Sequence, residues 1–143
     1  MSTMKLSRRE EREQAFLFLF EKSFHEEPMS EMLQDALEAR DEVACDFAQK
    51  VIAGVEEHRE EIDEAIRINA VGWKMKRISK VSLAVLRLAV YEIFYEEEIP
   101  GGVSINEAVE LAKKFATDED AAVINGILGS VFKAHEKREA PKQ

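Results

Sequence analysis

The sequence predicts an all-α protein built around one long, buried helix. Residues 81–95, VSLAVLRLAVYEIFY, are apolar at most positions and carry two charged side chains, Arg87 and Glu92. A helix that is apolar nearly all round is either buried inside a bundle or spans a membrane. A span needs about 18 uninterrupted apolar residues, so the two charges favour burial. The chain also has only 3 prolines and 6 glycines, which suits a helical protein.

Length and composition predict a single domain over residues 1–143. A chain of 143 residues buries roughly two thirds of its unfolded surface on folding, so it can be stable without a disulfide or other cross-link. The single cysteine, Cys45, excludes an internal disulfide and a zinc site built from cysteines. The first residues lack the apolar segment of a secretory signal, so we expect a cytoplasmic protein. We expect the ends, about residues 1–5 and 136–143, to fray.

The charge distribution indicates an acidic body with basic islands. The net charge is −9. Residues 15–64 carry −11, whereas residues 1–14 carry +1 and residues 65–80 carry +5. Such a protein attracts RNA only weakly over long distances, although the basic islands can still make local contacts.

The first predicted helix begins at Ser7, which forms a capping-box pattern with Glu10. The apolar run at residues 16–20 would also suit a buried strand. Helix-forming residues flank it on both sides, without a turn residue until Pro28, and this favours a helix. The phenylalanines of this helix that are spaced four apart then share one face.

Three further helices are predicted before the central one. The second carries a narrow apolar stripe at residues 32–37. The third begins around Asp41 and includes Cys45. A polar run near His58 indicates a bend, after which a fourth helix continues over residues 62–70.

Local signals define the central helix and its successor. Ser79 can cap the central helix, and the acidic residues 96–98 are expected to form its solvated tail. Residues 99–102, Ile-Pro-Gly-Gly, are the strongest turn signal in the chain. Ser104 and Glu107 form a second capping-box pattern, which predicts a helix start at Ser104.

The last helix is predicted to begin at Thr117, where residues 118–120 are acidic and complement the helix dipole. The pair Asn125-Gly126 resembles a hairpin turn, but the periodic apolar flanks favour a helix. A glycine inside a helix costs about 1 kcal/mol relative to alanine, so we expect Gly126 to serve close packing. About seven helices result.

No motif for catalysis or metal binding is present in the sequence. The three histidines lie far apart, and no serine or cysteine stands in a nucleophile motif. No glycine-rich loop follows a strand. We therefore expect a binding protein without enzymatic activity, cofactor or metal.

Two basic clusters are candidates for binding. The first is the arginine-rich start, Arg8, Arg9 and Arg12. Composition alone favours the other reading, in which these arginines are solvated charges that pair with the neighbouring glutamates, Glu10, Glu11 and Glu13. The second cluster is Lys113 and Lys114, followed by Phe115, whose spacing favours a place in the core. Arg87 is expected to pair with a carboxylate, because an unpaired buried charge is too costly.

The second half of the chain resembles the family of the transcription antitermination factor NusB. The matching strings are AVLRLAVYE at residues 84–92, INEAVELAK at residues 105–113 and INGIL at residues 124–128. Pro100 and Phe115 stand in the same order between and after them. Arg12, Glu13 and Ala15 in the first helix, and residues 53–55 in the third, extend the similarity.

The resemblance implies an all-α fold of two small helical sub-bundles around the long helix. It also implies a role in transcription. Proteins of this family bind the boxA element of nascent RNA, as a single strand, together with NusE, a small-subunit ribosomal protein. The pair joins the elongating RNA polymerase, suppresses termination and supports ribosomal RNA synthesis.

The resemblance also implies site residues. RNA would be held by the two basic clusters and the start of the last helix: Arg8, Arg9, Arg12, Lys113, Lys114, Phe115 and Asn125. NusE would lie along the central helix and its flank, at Arg77, Ser82 and Glu92. Arginines would contact phosphates, and an aromatic ring or an amide would meet the bases.

Other functions remain open at this stage. Val123 stands where the resemblance implies an aromatic residue in many relatives, and Ser82 stands where it implies an acid offered to NusE. A helical protein–protein interaction module, either a homodimer or an adaptor with little RNA affinity of its own, is therefore an alternative. Some RNA methyltransferases carry a similar domain, but we expect the chain to be too short for a catalytic domain as well.

Overall fold

The computed structural model describes residues 6–24, 44–70, 72 and 78–139. These residues form six α-helices and no strand. The predicted second helix, Trp73 and Arg77 lie outside the described residues. The helices are α1 (Arg8–Lys22), α2 (Asp46–Glu57), α3 (Arg59–Asn69), α4 (Lys80–Tyr95), α5 (Gly101–Phe115) and α6 (Asp118–Glu139).

Helix α4 is the centre of the molecule and packs against all five other helices. Side chains on every side of it are buried, including Val85, Leu86, Leu88 and Val90. The prediction of a buried central helix is confirmed. Helices α1 and α2 pack together on one side of α4, α5 and α6 pack together on another, and α3 bridges α4 and α6.

Helix α1 has the predicted start and the predicted aromatic face. The Ser7 hydroxyl accepts a hydrogen bond from the Glu10 amide, and the Glu10 carboxylate accepts one from the Ser7 amide. Phe16 stacks on Phe20 with ring centroids 6.0 Å apart, and Phe20 meets Phe24 edge-on at 5.1 Å. The strand alternative for residues 16–20 is therefore excluded.

Helix α2 begins later than predicted. Cys45 is the residue before its first turn and not part of the helix, because its backbone is extended (φ −64°, ψ 159°). Its Sγ accepts a hydrogen bond from the Ala48 amide at 3.4 Å. A cysteine in this position cannot be distinguished by periodicity from one in the first turn, so the sequence prediction was wrong here.

The predicted bend at His58 separates α2 from α3. His58 has a non-helical backbone (φ −107°, ψ 23°) and is the cap of both helices. On α3, Asp63 accepts a bidentate hydrogen bond from Arg87 of α4, with distances of 2.8 and 2.9 Å. The prediction that Arg87 pairs with a carboxylate is confirmed.

The predicted acidic tail of α4 is partly wrong. Glu97 and Glu98 are exposed, but Glu96 is buried. The Glu96 carboxylate accepts hydrogen bonds from Lys50 of α2 at 3.2 Å and from the Tyr91 hydroxyl at 3.4 Å. These hydrogen bonds offset the cost of burying the carboxylate. Lys50 lies 46 residues away from Glu96 in the sequence.

Helix α5 begins three residues before the predicted start. Pro100 is its N-cap, and Gly101 and Gly102, which were predicted to be part of the turn, are its first two residues. Ser104 is therefore inside the helix, buried, and its hydroxyl donates to Glu92 at 3.0 Å. The capping box predicted for Ser104 and Glu107 was wrong because both side chains bond to distant helices.

Helix α6 begins where predicted, with the Thr117 hydroxyl accepting a hydrogen bond from the Asp120 amide at 3.0 Å. The helix continues through Asn125 and Gly126, as the periodicity indicated. The close-packing role expected for Gly126 was wrong. Gly126 is exposed, and a Cβ added there would meet no atom of another described element within 4 Å.

Candidate nucleic-acid interface

Two ion pairs join α1 to α5 across the surface. The guanidinium of Arg9 donates to both carboxylate oxygens of Glu107, with distances of 3.1 and 2.8 Å. The ammonium of Lys114 contacts both oxygens of Glu13 at 2.9 and 2.8 Å. These four side chains line a groove of about 260 Å³ between the helices. The structure therefore brings Arg9 and Lys114, 105 positions apart in sequence, to the two sides of one groove.

The cations of this groove are on the outside and the carboxylates are deeper. The side chains of Arg9 and Lys114 are 66% and 59% exposed, whereas those of Glu107 and Glu13 are 12% and 28% exposed. Hydrogen bonding to Arg9 lowers the pKa of Glu107, and the same contact raises the pKa of Arg9. Both groups are therefore charged at neutral pH, and the pair carries no net charge.

Arg8, in the first turn of α1, packs against α2. Its guanidinium carbon is 4.1 Å from the centre of the Phe47 ring on α2, which is a cation–π contact. It also pairs with Glu11 at 3.3 Å, one turn along the same helix. Arg8 is exposed, so its remaining donors are accessible to an anion.

Arg12 and Glu92 are placed inside the protein, against each other. Arg12 is 4% exposed and Glu92 is 1% exposed. Three hydrogen bonds of 2.9 to 3.1 Å join the guanidinium to the carboxylate, and Ser104 donates to the same carboxylate. Arg12 also approaches Glu107 at 3.6 Å. Any effect of Arg12 on RNA, or of Glu92 on a partner, would therefore act by positioning α1 against α4 and α5.

Lys113 and Asn125 line a second groove, between α5 and α6. This groove has a volume of about 480 Å³, and Asn106 and Asp118 are also on its walls. Lys113 approaches Glu110 at 4.0 Å, and the Asn125 side chain is exposed. Helix α5 is thus a ridge between two polar grooves, with the two lysines at its end facing different sides.

Phe115 is half-buried at the end of α5. Its ring packs against Phe16 with centroids 5.0 Å apart, and the Lys114 ammonium lies 5.3 Å from the ring centre. The sequence favours a core position for this ring. One face of the ring packs on Phe16 and is part of the core. Only part of the ring remains to meet a base.

The predicted partner residue Ser82 is buried at the start of α4. Its Oγ has no hydrogen-bond partner within the part of the chain that the structure describes. A small cavity of about 60 Å³ adjoins it and is lined also by Val123 and by the acidic residues Glu119 and Asp120. Ser82 is therefore separated from Arg12 and Glu92.

Sequence reasoning missed the two glutamates of the α1/α5 groove as site residues. Glu107 was read as a capping residue and Glu13 as a neutraliser of the nearby arginines. Each instead pairs with a cation about 100 residues away. The available signal was that both belong to the strings that carried the family resemblance.

Metal binding and membrane insertion find no support in the described ranges. No group of three or more histidine, cysteine, aspartate or glutamate side chains is arranged there to hold a metal ion. None of the helices given above has the length and apolar character required for crossing a bilayer.

Comparison with known proteins agrees with this architecture. The sequence profile of the NusB family matches residues 9–133. The transcription antitermination protein NusB of Clostridium novyi (strain NT) is 41% identical over 133 residues, an alignment that covers 90% of this chain and all of the relative. The relative from Clostridium acetobutylicum is 36% identical, covering 93% of this chain and all of that protein.

Solved structures show the same fold. NusB of T. maritima superposes with a TM-score of 0.81 at 37% identity, covering 96% of this chain and all of that chain. A crystal structure of the antitermination factors NusB and NusE in complex with double-stranded RNA contains a chain that superposes with a TM-score of 0.78 at 28% identity. That match covers 89% of this chain and 96% of the other. Sequence and fold agree over nearly the whole length, and the chain belongs to the NusB family.

Proposed function

We propose that the protein is an RNA-binding transcription antitermination factor that recognises boxA-type nascent RNA together with NusE and has no catalytic step. The observation that carries the proposal is the meeting of Arg9 from α1 with Lys114 from α5 at one groove, with Arg8 exposed one position before Arg9. Membership of the NusB family supports the same role. A similar chain has been crystallised with NusE and double-stranded RNA.

The proposed RNA surface crosses α1, α5 and the start of α6. Exposed Arg8, Arg9, Lys113 and Lys114 would contact phosphates, which determine affinity more than sequence preference. The amide of Asn125 and the free part of Phe115 would contact bases. Arg12 would contribute by holding α1 against α4 and α5 through Glu92.

NusE is proposed to bind on another part of the surface, near the start of α4. The acidic groups Glu119 and Asp120 line the cavity beside Ser82 there, and they suit a basic partner. Arg77 precedes this helix in the sequence, and Glu92 would act only through the core. A partner that supplies positive charge would also offset the net charge of −9.

The wider assignment follows from the same proposal. The protein and NusE would join the RNA polymerase elongation complex in the cytoplasm and support ribosomal RNA transcription. The whole chain, residues 1–143, would act as one domain.

The experiment is a fluorescence-anisotropy titration of labelled RNA, with and without NusE, at several salt concentrations. The RNAs are a single-stranded boxA-type sequence, its duplex and a scrambled single strand. We expect saturable binding that prefers the boxA-type sequence, tightens with NusE and has a salt slope of about −2 to −3 on the single strand. Equal, poor binding of the boxA-type and scrambled RNAs even with NusE would contradict the proposal.

The variant Arg8→Ala/Arg9→Ala should bind RNA about tenfold or more weakly, because two phosphate-binding groups are lost. Its salt slope should be shallower by about 0.7 for each lost contact. The matched control is Arg67→Ala/Arg138→Ala, which removes the same charge from exposed positions on α3 and α6. An equal loss of affinity in both variants would mean that only net charge matters.

A second candidate is a helical protein–protein interaction module with little RNA affinity of its own. It is favoured by the neutralisation of the cations: Arg8, Arg9, Lys113 and Lys114 each approach a carboxylate within 4.0 Å. Binding of NusE without any binding of RNA would support this candidate. A homodimer would appear as a doubled mass in sedimentation equilibrium.

A further inference from the structure

The two carboxylates of the α1/α5 groove are already bound to the cations that RNA would need. Glu107 holds Arg9, and Glu13 holds Lys114, each with two contacts between 2.8 and 3.1 Å. Each pair has a formal charge of zero. The groove between the two helices is therefore much less positive than its count of basic residues indicates.

These carboxylates do not block access to the cations. Arg9 uses Nε and one terminal nitrogen for Glu107, and its other terminal nitrogen has no partner among the described residues. The Arg9 side chain is 66% exposed. The Lys114 ammonium is 59% exposed. An approaching phosphate can thus reach both cations, but it must either displace a carboxylate or lie close to one and be repelled by it.

We propose that Glu13 and Glu107 lower the RNA affinity of this protein by acting as internal counter-ions of Lys114 and Arg9. The inference rests on the proposed function. To a site otherwise defined by its cations, it adds two acidic residues whose effect is to weaken RNA binding. The contacts concern phosphates and not bases, so their effect is the same for every RNA sequence. In this way the isolated chain binds RNA weakly, and selectivity depends more strongly on base contacts and on the partner.

The test compares charge-neutralising variants in the anisotropy titration. Glu13→Gln and Glu107→Gln should each bind the boxA-type RNA about threefold more tightly, and the double variant about tenfold, as expected for release of an exposed ion pair. The affinity of these variants for the scrambled RNA should rise by the same factor. The control Glu60→Gln makes the same change in net charge at an exposed position on α3 and should leave the affinity within about a factor of 1.5.

Glu13→Gln keeps the test independent of folding. Glu107 also approaches the buried Arg12 at 3.6 Å, so its replacement can disturb the core. The ion pair that Glu13 makes within the described residues is with the exposed Lys114. A wild-type chain that binds RNA selectively while Glu13→Gln binds no more tightly than Glu60→Gln would overturn the counter-ion proposal alone. Absence of RNA binding by the wild type and all variants, with and without NusE, would overturn both this proposal and the proposed function.

Discussion

Replacement of Arg12 by methionine should lower the free energy of unfolding by about 3–5 kcal/mol, because it leaves the buried carboxylate of Glu92 without its charged partner. Both side chains are nearly inaccessible, at 4% and 1% exposure. The lost guanidinium makes three hydrogen bonds to Glu92, and among the described residues the Ser104 hydroxyl would remain as a donor. A buried carboxylate without a charged partner carries a large desolvation cost.

The measurement is urea denaturation at neutral pH, followed by circular dichroism. The matched control is Arg9→Met, which breaks an ion pair at the surface and should leave the free energy of unfolding close to that of the wild type. The double variant Arg12→Met/Glu92→Met should recover much of the loss, since removal of both charges leaves none unpaired. Equal destabilisation by Arg12→Met and Arg9→Met would show that the buried pair is not needed for stability.

Functional consequences would follow from the same pair. Arg12 connects α1 with α4 through Glu92 and approaches Glu107 of α5. The arginines that we propose to contact phosphates, Arg8 and Arg9, lie on the preceding turn of α1. We therefore expect Arg12→Met to weaken RNA binding because that turn of α1 is displaced, and not because a phosphate contact is lost. The loss of RNA affinity should then follow the loss of folding stability.

Replacement of Gly54 by alanine should destabilise the protein by about 1–3 kcal/mol, through overpacking between α2 and α4. A Cβ at Gly54 would lie 2.1 Å from Cε1 of Tyr91. Tyr91 is 4% exposed, and its hydroxyl is 3.4 Å from the buried Glu96, so the ring has little room to move away. The helices would have to separate instead.

Thermal unfolding of Gly54→Ala and Gly126→Ala would test this explanation. Gly126 is also inside a helix, but a Cβ there would meet no atom of another described element within 4 Å. Its replacement should therefore raise the free energy of unfolding by about 0.5–1 kcal/mol through helix propensity. If both variants are stabilised, the tight contact between Gly54 and Tyr91 does not constrain the packing of α2 on α4.

Local patterns were sufficient to predict most of the helices. The apolar run of α4, the capping box at Ser7, the cap at Ser79 and the bend at His58 each depend on residues within a few positions of one another. Periodicity and capping act over one or two turns, so the sequence displays them directly. The strings shared with the NusB family then identified the overall arrangement.

Two of the wrong predictions share one physical cause. Ser104 and Glu107 form a good capping pattern, but Pro100 starts the helix earlier, and their side chains bond to Glu92 and Arg9 instead. Glu96 continues an acidic run, yet Lys50 of another helix allows its burial. A local pattern cannot reveal a partner that only folding brings near.

The sequence by itself determined the fold class, the central helix, the family and the identity of the basic clusters. Tertiary structure alone decided which charges are neutralised, which are buried and which face the solvent. Arg8, Arg9 and Arg12 look equivalent in sequence, but helix geometry and packing send Arg12 into the core to meet Glu92 and leave the other two outside. The strength of a charge depends on its solvation and its partners, and both are set by contacts between helices that are distant along the chain.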